Sequence, residues 1–141
     1  VFPKPKKYKR IVADAYVDGI QGEHQKVHNF AKMLWARAVK ENNSSLAAIS
    51  KKYYGKDRYF SHRIVFPNKS CNTLTTKPSH YHHKYPRTLT IPEIKAISSF
   101  PTDFKLTGSF TKQWERIGRA VPPLMMKEVA LSIKKDILYK L

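Results

Sequence analysis

The stretch QWERIGRAVPPLMMKEVALSI, residues 113–133, constrains the fold more than any other part of the chain. Neither Pro122 nor Pro123 has a backbone N–H to donate, and their rings clash with a preceding helical turn, so no helix passes through the pair. Proline is well tolerated in the first turn of a helix, however, and the residues that follow carry helical spacing. Two helices separated by a turn are therefore expected. The first starts near Thr111 and stops at Gly118; the second presents Met126, Val129, Ile133 and Ile137 as one apolar face.

The segments in front supply the rest of the scaffold. Thr90-Ile91-Pro92-Glu93 fits a capping box, with Ile94, Ile97 and Phe100 toward the core and Phe100-Pro101 closing the element. From Glu23 onward, Val27, Phe30, Ala31, Leu34 and Ala38 fall at spacings of three and four, which predicts a helix to about Lys40. Asn42 to Ser45 interrupt it, and LAAISKKYYG reads as a second helix capped by Gly55. Residues 57–77 are rich in aromatic and β-branched side chains and read as a strand pair or a loop-and-strand unit. SHYHHKYP follows as a histidine-rich loop. Residues 1–20, with FPKPKK, suggest an extended entry followed by a short helix or strand. The class is α+β: a small domain with short strands and several helices.

Charge decides the broad function. The 141 residues carry a formal net charge of +17, with 15 basic against 5 acidic side chains over residues 1–70 and 12 against 5 over 71–141. An excess that dense is the footprint of a polyanion partner, because each phosphate contact releases condensed counterions, and nucleic acid is the leading candidate over a merely solvated basic surface. No apolar run approaches the roughly 18 residues that cross a bilayer, and the basic N-terminus has no apolar core behind it, so a membrane partner is not expected and a cytosolic setting is.

Self-sufficient chemistry is not visible in the residues. Cys71 has no activating neighbour and reads as a small structural residue. His80, His82 and His83 could in principle bind zinc, but neighbours in an irregular loop rarely converge on one ion and no cysteine or carboxylate pair completes a site; no metal is expected. The five glycines stand apart, so there is no Gly-rich phosphate loop, and no Ser-His-Asp or Cys-His grouping has supporting context. By residues alone this is a basic α+β nucleic-acid-binding domain.

Two stretches add to that reading. RTLTIPEIKAISSFP and QWERIGRAVPPLMMKEVALSI, in this order and about ten residues apart, resemble the last two motifs of the DNA (cytosine-5) methyltransferase family. Upstream, RYFSHRIVFPNKSCNTLTT resembles the end of that family's target-recognition region, and VFPKPKKYKRIVADAYVDGI the stretch that opens it. The resemblance divides the chain into a DNA-binding target-recognition region, residues 1–77, and the two motifs with a C-terminal helix, residues 78–141. Missing are the family's Pro-Cys nucleophile dipeptide, its Glu-Asn-Val and its Phe-x-Gly-x-Gly cofactor loop.

The resemblance implies the rest. It implies a C-terminal fragment or small subunit, with no catalytic residue of its own, of a bacterial cytoplasmic restriction-modification enzyme. Such a chain would grip double-stranded DNA for base flipping, with Thr73 and Thr75 matching strand threonines near the flipped nucleotide and Arg87 the arginine that organises the recognition region. Gly118, Arg119, Ala120 and Val121 would form one wall of an S-adenosyl-L-methionine pocket, with Arg119 standing where the family usually has asparagine. The last helix would pack on a catalytic α/β domain; orphaned from it, the apolar face would drive self-association. Glu93 is better explained by its cap than by catalysis. The competing reading is a stand-alone basic DNA-binding module.

Overall fold

A computed structural model describes residues 22–140; the expectations for residues 1–20 lie outside the described residues. In chain order they form α1 (Asn29–Lys40), α2 (Leu46–Tyr54), β1 (Arg63–Val65), β2 (His80–His82), α3 (Ile91–Ile97), α4 (Phe110–Arg119), α5 (Pro123–Asp136) and a closing 3-10 turn, Leu138–Lys140. The expected α+β class holds.

Local chemistry sets most boundaries. The Ser45 hydroxyl accepts from the Ala48 N–H at 3.2 Å to start α2, and Gly55, at φ 64°, ends it in the left-handed conformation that glycine adopts without steric cost. At α3 the capping box is complete: Thr90 Oγ1 accepts from the Glu93 N–H, and Glu93 Oε2 accepts from the Thr90 N–H at 2.7 Å. Pro123 opens α5 at its first position.

Two expectations change here. The first helix begins at Asn29 rather than near Glu23, because residue 26 is drawn into a bridge with Arg87 and the Thr88 N–H donates to the Gln25 carbonyl. SHYHHKYP is not a loop throughout, since its first histidines are the strand β2. That strand pairs with β1 in parallel, Ile64 opposite Tyr81, so of the two readings of residues 57–77 it is the loop-and-strand unit that holds.

The two-stranded sheet is extended on both sides by bridging backbone. The Ile64 N–H donates to the Ser44 carbonyl on one edge; on the other the His82 N–H donates to Arg87 and the Leu89 N–H to His80. Successive residues of β1 face opposite ways. Ile64, with Phe66 and Tyr81, joins Leu34, Ala38, Leu46 and Ile49 of α1 and α2 in one core; Val65 joins Leu89, Ile91, Ile94, Phe110, Trp114 and Ile117 of α3 and α4 in the other. Each large aliphatic or phenylalanine side chain among them stabilises the fold by about 1.5–3 kcal/mol relative to exposure. Residues from α5 enter neither core, and none of them is buried.

Candidate functional site

The functional candidates group around α3 and α4. Arg87 makes a two-pronged contact with Glu93, Nη1 to Oε2 and Nη2 to Oε1, both 2.8 Å, and Nη1 also donates to the Thr88 carbonyl. The Glu93 side chain is fully buried, while 12% of that of Arg87 is exposed. Burial pushes the Glu93 carboxyl up, but the Arg87 guanidinium and the Thr90 N–H outweigh it and hold the group below the usual carboxylate value. His82 Nε2 stands 4.0 Å away. One carboxylate thus caps α3 and ties the 87–89 backbone to it.

Thr73 and Thr75 precede β2 and lie in no strand, contrary to expectation. The reason is a change of partner: the Thr75 carbonyl accepts from the Trp114 indole N–H at 3.0 Å instead of entering a ladder. The Thr75 hydroxyl is engaged internally, donating to the Lys77 carbonyl at 2.9 Å and lying 2.7 Å from Ser79 Oγ. Thr73 is exposed.

Gly118 does not stop α4, which continues through Arg119. Its role is close approach: a Cβ there would sit 2.8 Å from the Thr75 carbonyl carbon and 3.2 Å from Thr76 Cα. Arg119, Ala120 and Val121 then emerge exposed. The Arg119 guanidinium turns back along α4 to Glu115, 2.7 Å away, so its charge is answered within the helix. The Ala120 N–H donates to Ile117, and the Leu124 N–H donates to Ser99 Oγ at 3.1 Å, which fastens the start of α5 to the turn after α3. The bend is open to solvent.

His80 and His82 are fully buried in β2. Burial above all, with Arg63 and His62 adding repulsion, drives the His80 ring down to about 4 against a raising backbone contact at Asn72. His82 Nδ1 accepts from the Lys84 and Tyr85 N–H groups. Among the described residues, no three His, Cys, Asp or Glu side chains gather as a metal site. Cys71 packs against the α3–α4 core, and burial pushes its thiol up to about 12, in keeping with a structural role. No helix of the described residues is long and apolar enough to cross a membrane.

Sequence reasoning passed over the turn after α2. Phe60 is 76% exposed there, between Arg58 and Arg63. The run DRYFSH held an aromatic among charges, but nothing in its spacing told that the ring points to solvent.

Comparison with known proteins completes the picture. A candidate type II methyltransferase of Oceanobacillus iheyensis is 41% identical over 80 residues, covering 53% of this chain and 17% of the relative. One of Methanocaldococcus jannaschii is 28% identical over 114 residues, 80% of this chain and 33% of the relative. The type II methyltransferase of Arthrospira platensis is 48% identical over 48 residues, 34% and 14%. The chain thus spans a third or less of the length of these curated relatives. No solved structure matches it. The profile of the C-5 cytosine-specific DNA methylase family matches residues 4–135, nearly the whole chain, and to that family the chain belongs.

Proposed function

We propose that this chain is the DNA-gripping and cofactor-bracing part of a DNA (cytosine-5-)-methyltransferase whose catalytic motifs lie in other residues, working in restriction-modification. Residues 1–77 serve target recognition and 78–141 carry the last two motifs. Swinging a cytosine out of the duplex costs a few kcal/mol, and contacts from both sides of the site offset it. Thr73 meets a phosphate directly; Thr75 and Arg87 hold the backbone around it, since their polar atoms already serve Lys77, Ser79 and Glu93.

The observation that carries this reading is α5. It buries no residue, yet Leu124, Met126, Val129 and Ile133 are each about half exposed on it, as is Ile137 just past its end. An apolar helix bare along its length fits a missing catalytic α/β domain. The open bend in front of it supports a wall for S-adenosyl-L-methionine, which supplies the methyl group when bound: Gly118 lets α4 sit close, and the Arg119 to Val121 backbone and the Val121 side chain offer the surface. Arg119, paired with Glu115, contributes backbone rather than charge. The chain contains no Pro-Cys dipeptide and supplies no nucleophile.

The test is to mix the chain with a catalytic partner carrying that dipeptide and follow methyl transfer from labelled S-adenosyl-L-methionine to double-stranded DNA. Transfer only in the mixture is expected; transfer by the chain alone would overturn the reading. The net charge of +17 favours a second reading, a stand-alone DNA-binding module. It requires retention of DNA by the isolated chain at physiological salt with no gain from the partner.

A further inference from the structure

The turn between α2 and β1 is tied at every step yet projects an apolar ring. Ser50 Oγ donates to the Lys56 carbonyl at 2.7 Å, the His62 N–H to the Tyr59 carbonyl at 2.9 Å, and Arg63 Nη1 to the Phe60 carbonyl at 2.7 Å. Tyr59 holds φ at 61°, a conformation that side-chain-bearing residues seldom adopt and that persists only where the surroundings enforce it. The ring of Tyr59 turns inward, packing 6.2 Å from Phe30 and 5.0 Å from His62. Its neighbour goes the other way: Phe60 is 76% exposed and belongs to neither core.

The surroundings are cationic. Residues 28–63 carry eight lysines and arginines against Glu41 and Asp57, and Lys56 and Arg58, both exposed, precede Phe60 in the same turn. The Arg58 guanidinium is held 5.9 Å over the Phe30 ring, at the surface beside the turn. A rigidly presented aromatic in a cationic turn is a pairing that binds nucleic acid, the ring taking a base face while the cations take phosphates.

We infer that Phe60 is a base-stacking wedge of the DNA interface, seated on one duplex by Lys56 and Arg58. The inference rests on the DNA-binding reading above and adds to it a residue that contacts bases without any hydrogen-bonding group. Stacking on a π-face is tolerant of base identity, so Phe60 positions the duplex and leaves sequence choice to polar neighbours.

Fluorescence anisotropy with a labelled duplex, read against salt concentration, tests it on the full chain. Phe60→Ala should weaken binding about tenfold with the salt slope unchanged, since no charge is lost, and Phe60→Trp should restore it to within about twofold. Lys56→Gln with Arg58→Gln should instead flatten the slope by about two. Wild-type affinity in Phe60→Ala, with the wild-type chain still holding DNA, overturns the wedge alone. A wild-type chain that holds no duplex even at low salt overturns the DNA-binding reading with it. Unchanged thermal melts are expected for the Phe60 variants, because that side chain supports no core, whereas Arg58→Gln gives up the contact with Phe30 and should lower the melt slightly.

Discussion

Gly118 lies flat against the backbone of Thr75, and the same carbonyl accepts from Trp114 one turn earlier on α4. Alanine in a helix is ordinarily better than glycine by about 1 kcal/mol. Here a Cβ would meet a backbone carbonyl that cannot rotate aside, and overpacking costs about 1–3 kcal/mol. Gly118→Ala should therefore be net destabilising in urea melts despite its helix position. Trp114→Phe keeps an aromatic ring but removes the indole donor of the Thr75 carbonyl and leaves a void at a fully buried position, and should cost about 2–3 kcal/mol. A stabilised Gly118→Ala would show that α4 does not dock this closely.

That contact also marks where the sequence stops being legible. Signals confined to a few neighbouring residues came through: the Thr90–Glu93 box and the Gly55 cap are settled by bonds inside one turn, and the start of α5 by the fixed φ of its prolines. Signals that depend on a distant partner did not. Gly118 looked like a helix stop because its reason, Thr75, lies far off in the chain. His80 and His82 looked like a polar loop because a parallel pairing with β1 leaves no mark on the strand's own composition. Val27 has the spacing of a helix yet packs on the α1–α2 core from ahead of Asn29, held by the Lys26–Arg87 bridge.

Arg87→Met removes the partner of a fully buried carboxylate and should cost about 3–5 kcal/mol at pH 7. The pH dependence should also reverse. In the wild type Glu93 titrates below its ordinary value, so its contribution is present above about 4.5, the unfolded value, and is lost as pH falls through the folded one. In the variant burial, the largest influence on Glu93, is opposed mainly by the Thr90 N–H and raises that carboxyl, so the deficit should shrink as pH drops from 7 to 5. Denaturant midpoints for both proteins across that range check the sign; a constant deficit would show that Arg87 does not govern the carboxylate.

His80 sets a separate window. Its ring is fully buried and driven down to about 4 from an ordinary value of 6.5, so below 6.5 the unfolded chain takes the proton first. Stability should fall by about 3 kcal/mol between pH 6.5 and 4, with His62, also lowered by burial, adding in the same direction. Replacing the ring in His80→Leu should flatten most of that slope between 6.5 and 4.5, above the range where carboxylates titrate. A slope that survives the substitution would assign it elsewhere.

The bare face of α5 makes opposite demands on stability and association. Because none of its residues is buried, Val129→Glu with Ile133→Glu should leave the unfolding free energy from urea melts within about 0.5 kcal/mol of wild type. The isolated wild-type chain should self-associate as concentration rises, seen by light scattering, because the exposed apolar stripe finds a copy of itself when no other cover is offered. The doubly substituted chain should stay monomeric, and should fail to support methyl transfer when mixed with a Pro-Cys-bearing partner. A large loss of stability in that variant would mean α5 folds back on its own domain; full methyl transfer by it would mean the partner docks elsewhere.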